Sequence, residues 1–202
     1  MKNRMETEHY FSKSPTSKKK PRVVNLFING RNLSFKTSSG MFSPKRVDRA
    51  TLIFIENMRL GDKILDLGSG YGPIGIAAAF LKPGCSVTMV EINERAVGLA
   101  RENASLNQIK NARVTESDFF GNVDGMFDTI LMNPPIAIGL KRLFELIGEC
   151  WEHLDKGGSL QIVARHNKGG ARIGARMEEV FGNMETLVKS GGFRVYMSVR
   201  SK

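Results

Sequence analysis

From Lys63 onward the chain alternates between short β-type runs and helical patterns, and this alternation constrains the fold more than any other feature. Apolar runs of strand type fall near residues 63–67, 86–91, 112–117, 127–132 and 159–164. Helical periodicity falls near 73–82, 94–106 and 139–153. Strands separated by helices pair in parallel through right-handed crossovers, so the expected class is α/β with a doubly wound sheet. The end breaks the rule. Residues 184–189 and 193–199 are two strand-like runs joined across Ser190-Gly191-Gly192, with a short helix expected around 173–181 before them. They predict a terminal antiparallel hairpin.

Ahead of this unit, residues 22–28 and 31–37 flank Asn29-Gly30, a dipeptide that tolerates the positive φ values of a tight hairpin turn. Ser43-Pro44 reads as an N-cap followed by proline at the first helical position. Val47, Ala50, Thr51, Phe54, Ile55 and Met58 then keep helical spacing, predicting a helix over 44–58. Residues 1–21 are polar and basic, read as a flexible arm, with His9-Tyr10-Phe11 as an aromatic cluster that docks back on the domain. The expected organisation is an arm at 1–21, a hairpin appendage at 22–43 and one main domain at 44–202.

The net charge is +10, and its placement matters more than its size. Residues 1–22 carry seven basic and two acidic side chains, residues 23–164 are balanced, and residues 165–202 carry eight basic against three acidic. A neutral middle with two basic ends favours a polyanionic partner gripped from the edges, against the blander reading of solvated faces. Cys85 and Cys150 have no paired spacing, which excludes a disulfide framework or a zinc site and fits a reducing cytoplasm. No ligand cluster for a metal and no membrane-spanning run is present.

The chemistry is concentrated at strand ends, where open α/β sheets bind ligands. After the first strand come Asp66, Gly68, Ser69, Gly70 and Tyr71, then Pro73 opening a helix. Gly68 and Gly70 let the backbone turn sharply and a ligand approach closely. Asp66 would repel a pyrophosphate, and Pro73 spoils a dinucleotide fingerprint, so a nicotinamide enzyme is disfavoured. Asp66 suits a cation, such as a sulfonium compound with an α-amino group. Glu91, with Ile92 after it, closes the second strand and suits the two hydroxyls of a ribose; the alternative is a solvated strand end. Asp118 and Phe119 follow the third strand, one to accept from an adenine amino group and one to pack near the ring. After the fourth strand stands Asn133-Pro134-Pro135-Ile136. Two prolines leave the sheet as a stiff loop. The Asn133 side chain and the Pro134 carbonyl are then fixed acceptors for the two hydrogens of a planar NH2 group. His166, in the loop after the fifth strand, is a candidate for the substrate pocket. His153 and Trp151 read as structural.

With DLGSGYGPIG at 66–75 and NPPI at 133–136, the chain resembles class I S-adenosylmethionine-dependent methyltransferases. The HYF at 9–11, GMFSPKRVD at 40–48, EINERAVGLARENA at 91–104 and GGFRVY at 191–196 resemble the RsmC-like family. These are small-subunit ribosomal RNA guanine-N2 methyltransferases and their single-domain relatives. The resemblance implies a Rossmann-like, mostly parallel seven-stranded sheet with an antiparallel last strand, and S-adenosyl-L-methionine as cofactor. It places Asp66, Gly68 and Gly70 at the methionine moiety, Glu91 at ribose, Asp118 at adenine, and Asn133, Pro134 and Pro135 at the target amine, with Ile136 covering the base. Ribosomal RNA is the implied partner and guanine N2 the implied acceptor. The motif at 133–136 is shared with enzymes acting on adenine N6, cytosine N4 and glutamine. Transfer RNA, DNA adenine, protein glutamine and a silent RNA-binding assembly factor therefore stay open. Ala137, where relatives carry a basic residue, and Arg165-His166-Asn167-Lys168 after the fifth strand depart from the family pattern on the substrate side.

Overall fold

A computed structural model of the protein describes residues 21–38, 45–134 and 138–201. The arm at 1–20, Ser43-Pro44, Pro135 and Ile136 lie outside the described residues. Two strands, β1 (Pro21–Ile28) and β2 (Arg31–Ser38), form the N-terminal hairpin. Both turn residues take positive φ, +45° at Asn29 and +75° at Gly30, as the dipeptide predicted.

Seven further strands make one sheet: β3 (Lys63–Leu67), β4 (Ser86–Glu91), β5 (Ala112–Glu116), β6 (Phe127–Met132), β7 (Leu154–Arg165), β8 (Glu185–Ser190) and β9 (Phe193–Val199). Their order is β5-β4-β3-β6-β7-β9-β8. Strands β3 to β7 are parallel, and β9 runs antiparallel between β7 and β8. The order reverses beside β3, which pairs with both β4 and β6, and that reversal opens a crevice at the C-terminal strand ends.

Because both faces of the sheet are covered, consecutive strand residues are buried rather than alternate ones. Ile64 and Leu131 pack on one face with the hairpin, α1 (Arg49–Asn57), α2 (Pro73–Leu81) and α3 (Glu94–Leu106). Leu65, Leu67, Ile130 and Met132 pack on the other with α4 (Leu140–Glu152) and α5 (Gly170–Phe181). Helix α2 is apolar almost all round, and residues 73–79 are all buried. Gly75 lets it approach the sheet: a Cβ there would sit 2.5 Å from Met89 Cγ.

Two boundaries differ from expectation. Helix α1 starts at Arg49 rather than residue 44. Asp48 is the cap, its carboxylate accepting from the Ala50 and Thr51 amides at 2.9 and 3.2 Å. A side-chain cap satisfies backbone donors directly, which a proline upstream cannot do. Strand β7 starts at Leu154, five residues early, because a register break opposite Phe127 and Thr129 absorbs Gly157 and Gly158 into the strand.

The hairpin is fastened to α3 by two amides one helical turn apart. Asn107 accepts from the Ser34 amide at 2.9 Å and donates to its carbonyl at 2.8 Å. Asn103 does the same for Lys36, at 2.7 and 2.9 Å. The two carboxamides thus stand where a neighbouring strand would, and they cover the open edge of β2. Asn103 is fully buried, so Asn103→Ala strands both Lys36 groups. Urea unfolding should show a loss on the order of 3 kcal/mol, with faster hydrogen exchange at the Ser34 and Lys36 amides. A variant as stable as the wild type would mean that the hairpin is held elsewhere.

Candidate active site

A cavity of about 760 Å³, counting its open mouth, lies at the strand reversal. Gly68, Ser69, Gly70 and Tyr71 of the β3–α2 loop line it, with Glu91 and Ile92 after β4, Asp118 and Phe119 after β5, and Asn133 after β6. Nine of the residues singled out in the sequence therefore converge here. Asp48 and Thr51, from the start of α1, close the remaining side. Nothing in the sequence flagged these two as site residues; a polar cap followed by a hydroxyl on the apolar face of a helix was their only signal.

Buried carboxylates shape the glycine loop. Glu91 Oε2 accepts from the Gly70 amide and Oε1 from the Asn93 amide, each at 2.9 Å. The Gly68 and Ser69 amides donate to the Val90 carbonyl at 3.0 and 2.9 Å. Gly68 and Gly70 sit at φ +76° and +58°, the left-handed conformation that side-chain-bearing residues resist.

Asp66 does not line the cavity but stands behind it. Its Oδ2 accepts from the Gly75 amide at 2.8 Å, which caps α2 from the neighbouring strand because Gly72 has no side chain to do so. Its Oδ1 is buried with no partner, and so is Ser69 Oγ. Burial pushes the Asp66 carboxyl up to about 7; the Gly75 hydrogen bond opposes this and the nearby Glu91 charge adds to it. Two orphaned polar atoms behind a glycine loop are what an incoming polar group would satisfy.

Asn133 is half-buried, and its Nδ2 donates to Thr51 Oγ1 at 3.0 Å. The Thr51 hydroxyl in turn donates to Asp48 Oδ2 in a short hydrogen bond. Asp118 is exposed at the cavity mouth. Phe119 adopts φ +47° and lies under the Arg142 guanidinium at 5.5 Å. The Ser117 hydroxyl donates to the Phe119 carbonyl at 2.7 Å, which holds that turn.

A second cavity shares the Asp48 and Asn133 wall. Pro134, Ile138, Leu140 and Leu143 form one side of it, and Val163, Arg165, Lys168, Ile173 and Phe193 the other. His166, expected here, is not among its lining residues. The turn after β7 is a 3-10 helix over His166–Lys168, with three residues per turn, so Arg165 and Lys168 face the cavity together. His166 turns away, and its Nδ1 is 2.8 Å from the Tyr196 hydroxyl. Neither Arg165 nor Lys168 is in an ion pair among the described residues; Arg165 lies over the Phe193 ring at 5.1 Å. No group of three or more metal-ligating side chains occurs among the described residues.

Comparison with known proteins follows this geometry. The family model described as the methyltransferase small domain matches residues 32–197. The Bacillus subtilis (strain 168) uncharacterized protein YbxB is 34% identical over 194 residues, 94% of this chain and 96% of its own length. The ribosomal RNA small subunit methyltransferase C of Haemophilus influenzae (strain PittGG) is 32% identical over 171 residues, 82% of this chain and 51% of its own. The solved structure of the T. thermophilus 16S rRNA N2 G1207 methyltransferase, in complex with AdoMet and guanosine, is 25% identical with a TM-score of 0.77. It covers 92% of this chain and 52% of that one. The chain thus spans nearly all of the Bacillus protein and about half the length of the named ribosomal RNA methyltransferases.

The Asp66 environment makes a prediction about pH. The folded chain holds a proton between the ordinary value of 3.8 and about 7 that the unfolded chain has released. The contribution of this group is therefore fully present below the lower value and is lost as pH rises through 7. In urea unfolding between pH 5 and 8, wild-type stability should fall by a few kcal/mol relative to Asp66→Asn and level off above that. A wild-type-minus-variant difference that ignores pH would put the carboxyl back at its ordinary value.

Proposed function

The chain belongs to the methyltransferase small domain family, and on that premise we propose that it transfers a methyl group from S-adenosylmethionine to an exocyclic amine of RNA, with guanine N2 of ribosomal RNA as the acceptor. The observation that carries this reading is the position of Asn133. Its carboxamide forms part of the wall shared by two cavities, one lined by a glycine loop and carboxylates and the other by apolar and cationic side chains.

The first cavity fits the cofactor. Glu91 uses one lone pair of each oxygen on the backbone and keeps the others for two ribose hydroxyls. Asp118 at the mouth is the acceptor for an adenine amino group, with Phe119 beside the ring. Asp66 Oδ1 and Ser69 Oγ would hold the amino-acid end, where an ammonium group would favour the Asp66 carboxylate and reverse the effect of its burial. When bound, S-adenosylmethionine supplies an electrophilic methyl group carried on a sulfonium.

What the chain itself contributes is placement and charge stabilisation. An amine conjugated to a purine ring is a poor nucleophile. Asn133 Oδ1 and the Pro134 carbonyl accept its two hydrogens and so turn its lone pair toward the first cavity. The same two dipoles stabilise positive charge as it grows on the nitrogen. The apolar walls of Pro134, Ile138, Leu140 and Leu143 would take an extruded base, whose unstacking costs a few kcal/mol and favours unpaired sites. Arg165 and Lys168 favour nucleic acid over a glutamine side chain, because two cations beside an apolar slot match a nucleotide phosphate.

Asn133→Ala should hold S-adenosylmethionine with wild-type affinity while methyl transfer to an unmodified small-subunit ribosomal RNA transcript falls roughly 10²–10³-fold. Radiolabelled methyl incorporation reads the rate, and mass spectrometry of the digested RNA reads the product, expected to be N2-methylguanosine. Retained turnover would remove Asn133 from its role, and a different methylated nucleoside would replace the acceptor. Arg165→Ala with Lys168→Ala should weaken RNA binding and flatten its logarithmic salt dependence by about 0.7 per cation lost. An unchanged salt slope would move the phosphate path off this cavity.

A further inference from the structure

We infer that Asp48 and Thr51 are positioning residues that fix which end of the Asn133 carboxamide faces the methyl acceptor. The inference rests on the proposed amine methylation and adds to it the origin of the amide's polarity. A carboxamide has a donor end and an acceptor end of nearly equal size. Rotated by half a turn, Asn133 would aim an NH2 group at the NH2 it must grip, a donor against a donor. Something has to forbid that rotamer.

The start of α1 does so through one proton. Asp48 carries no donor in its ionised form, and its Oδ1 already accepts the Ala50 and Thr51 amides. Its Oδ2 takes the Thr51 hydroxyl proton. Thr51 has only that one proton, so toward Asn133 its oxygen can act only as an acceptor. The atom of Asn133 that meets it at 3.0 Å is therefore Nδ2, and Oδ1 is left for the acceptor side. Thr51 is 2% exposed, so water cannot easily replace the hydroxyl or blur its direction. Asp48 and Asn133 are also the two residues common to both cavities, which puts the start and the end of this relay in the wall between them. Besides capping a helix, Asp48 thus sets the direction of a hydrogen bond two links away.

Three substitutions separate this role from a structural one. Thr51→Val keeps the shape but deletes the hydroxyl, leaving the amide free to rotate. Thr51→Ser restores the hydroxyl. Asp48→Asn keeps an N-cap of equal quality but presents an NH2 to Thr51, so the hydroxyl proton is driven toward Asn133 and selects the wrong rotamer. Using the unmodified small-subunit ribosomal RNA transcript, kcat should fall about tenfold in Thr51→Val and further in Asp48→Asn, and recover in Thr51→Ser. S-adenosylmethionine affinity and thermal unfolding should stay near wild type throughout. A capping role alone predicts that Asp48→Asn is harmless, and wild-type kcat in that variant overturns the inference while leaving amine methylation standing.

A second readout does not need turnover. In the ¹⁵N-labelled protein, the Asn133 side-chain NH2, assigned by its loss in Asn133→Ala, should be protected from exchange in the wild type and in Thr51→Ser. It should be freely exchanging in Thr51→Val. A wild-type NH2 that already exchanges like an exposed amide sinks the inference. Protection in the wild type upholds the relay even if the transcript is never methylated, in which case it is the choice of acceptor that fails.

Discussion

Two carboxylates buried at the ends of adjacent parallel strands hold this molecule in its working shape. Glu91 draws in the Gly70 amide, and Asp66 draws in the Gly75 amide at the first turn of α2. A glycine loop on its own is the most entropically costly backbone to order. Charge-assisted bonds from rigid strands make it a fixed surface instead. The arrangement leaves an unsatisfied oxygen on Asp66, which disfavours its charged form while the cavity holds no cation. Strand β3 thus gives up some stability to keep an unpaired carboxyl oxygen beside the loop, as binding sites commonly do.

The sheet was legible because a doubly wound fold writes its elements as separated apolar runs, and strand ends fell within a residue of expectation for β3, β4, β5 and β6. The convergence of Gly68, Gly70, Glu91, Asp118 and Asn133 followed from that topology, since parallel strands carry all their C-terminal ends to one side. What stayed hidden had no periodic signature. Asn103 and Asn107 looked like ordinary polar positions on a helix, and only the fold reveals that they stand in for a strand. The start of α1 was misread because proline after serine and aspartate before arginine both signal a helix start. The choice between them depends on which side chain meets free amides. His166 was placed in the substrate cavity by chain proximity, whereas the tight turn over His166–Lys168 sends its neighbours there instead. Asp48 and Thr51 were missed for a related reason: their function lies in a hydrogen-bond direction, which sequence spacing does not encode.

The segment ahead of the doubly wound unit is more than an appendage. Helix α1 supplies the wall between the two cavities, and the hairpin reaches the glycine loop through a single side chain. Asn103 Nδ2 donates both to the Lys36 carbonyl in β2 and to the Tyr71 carbonyl in the loop, at 2.9 Å each. The Phe35 ring meets the Tyr71 ring edge-on, with centroids 6.1 Å apart. A shift of the loop on binding a ligand would have to stretch one of these bonds or carry β2 with it. Packed interiors move as units rather than deforming smoothly, so the hairpin and the loop form one mechanical body. The exposed face of that hairpin, with Phe27 74% and Val23 63% accessible, is therefore continuous in the structure with the site that the strand ends create.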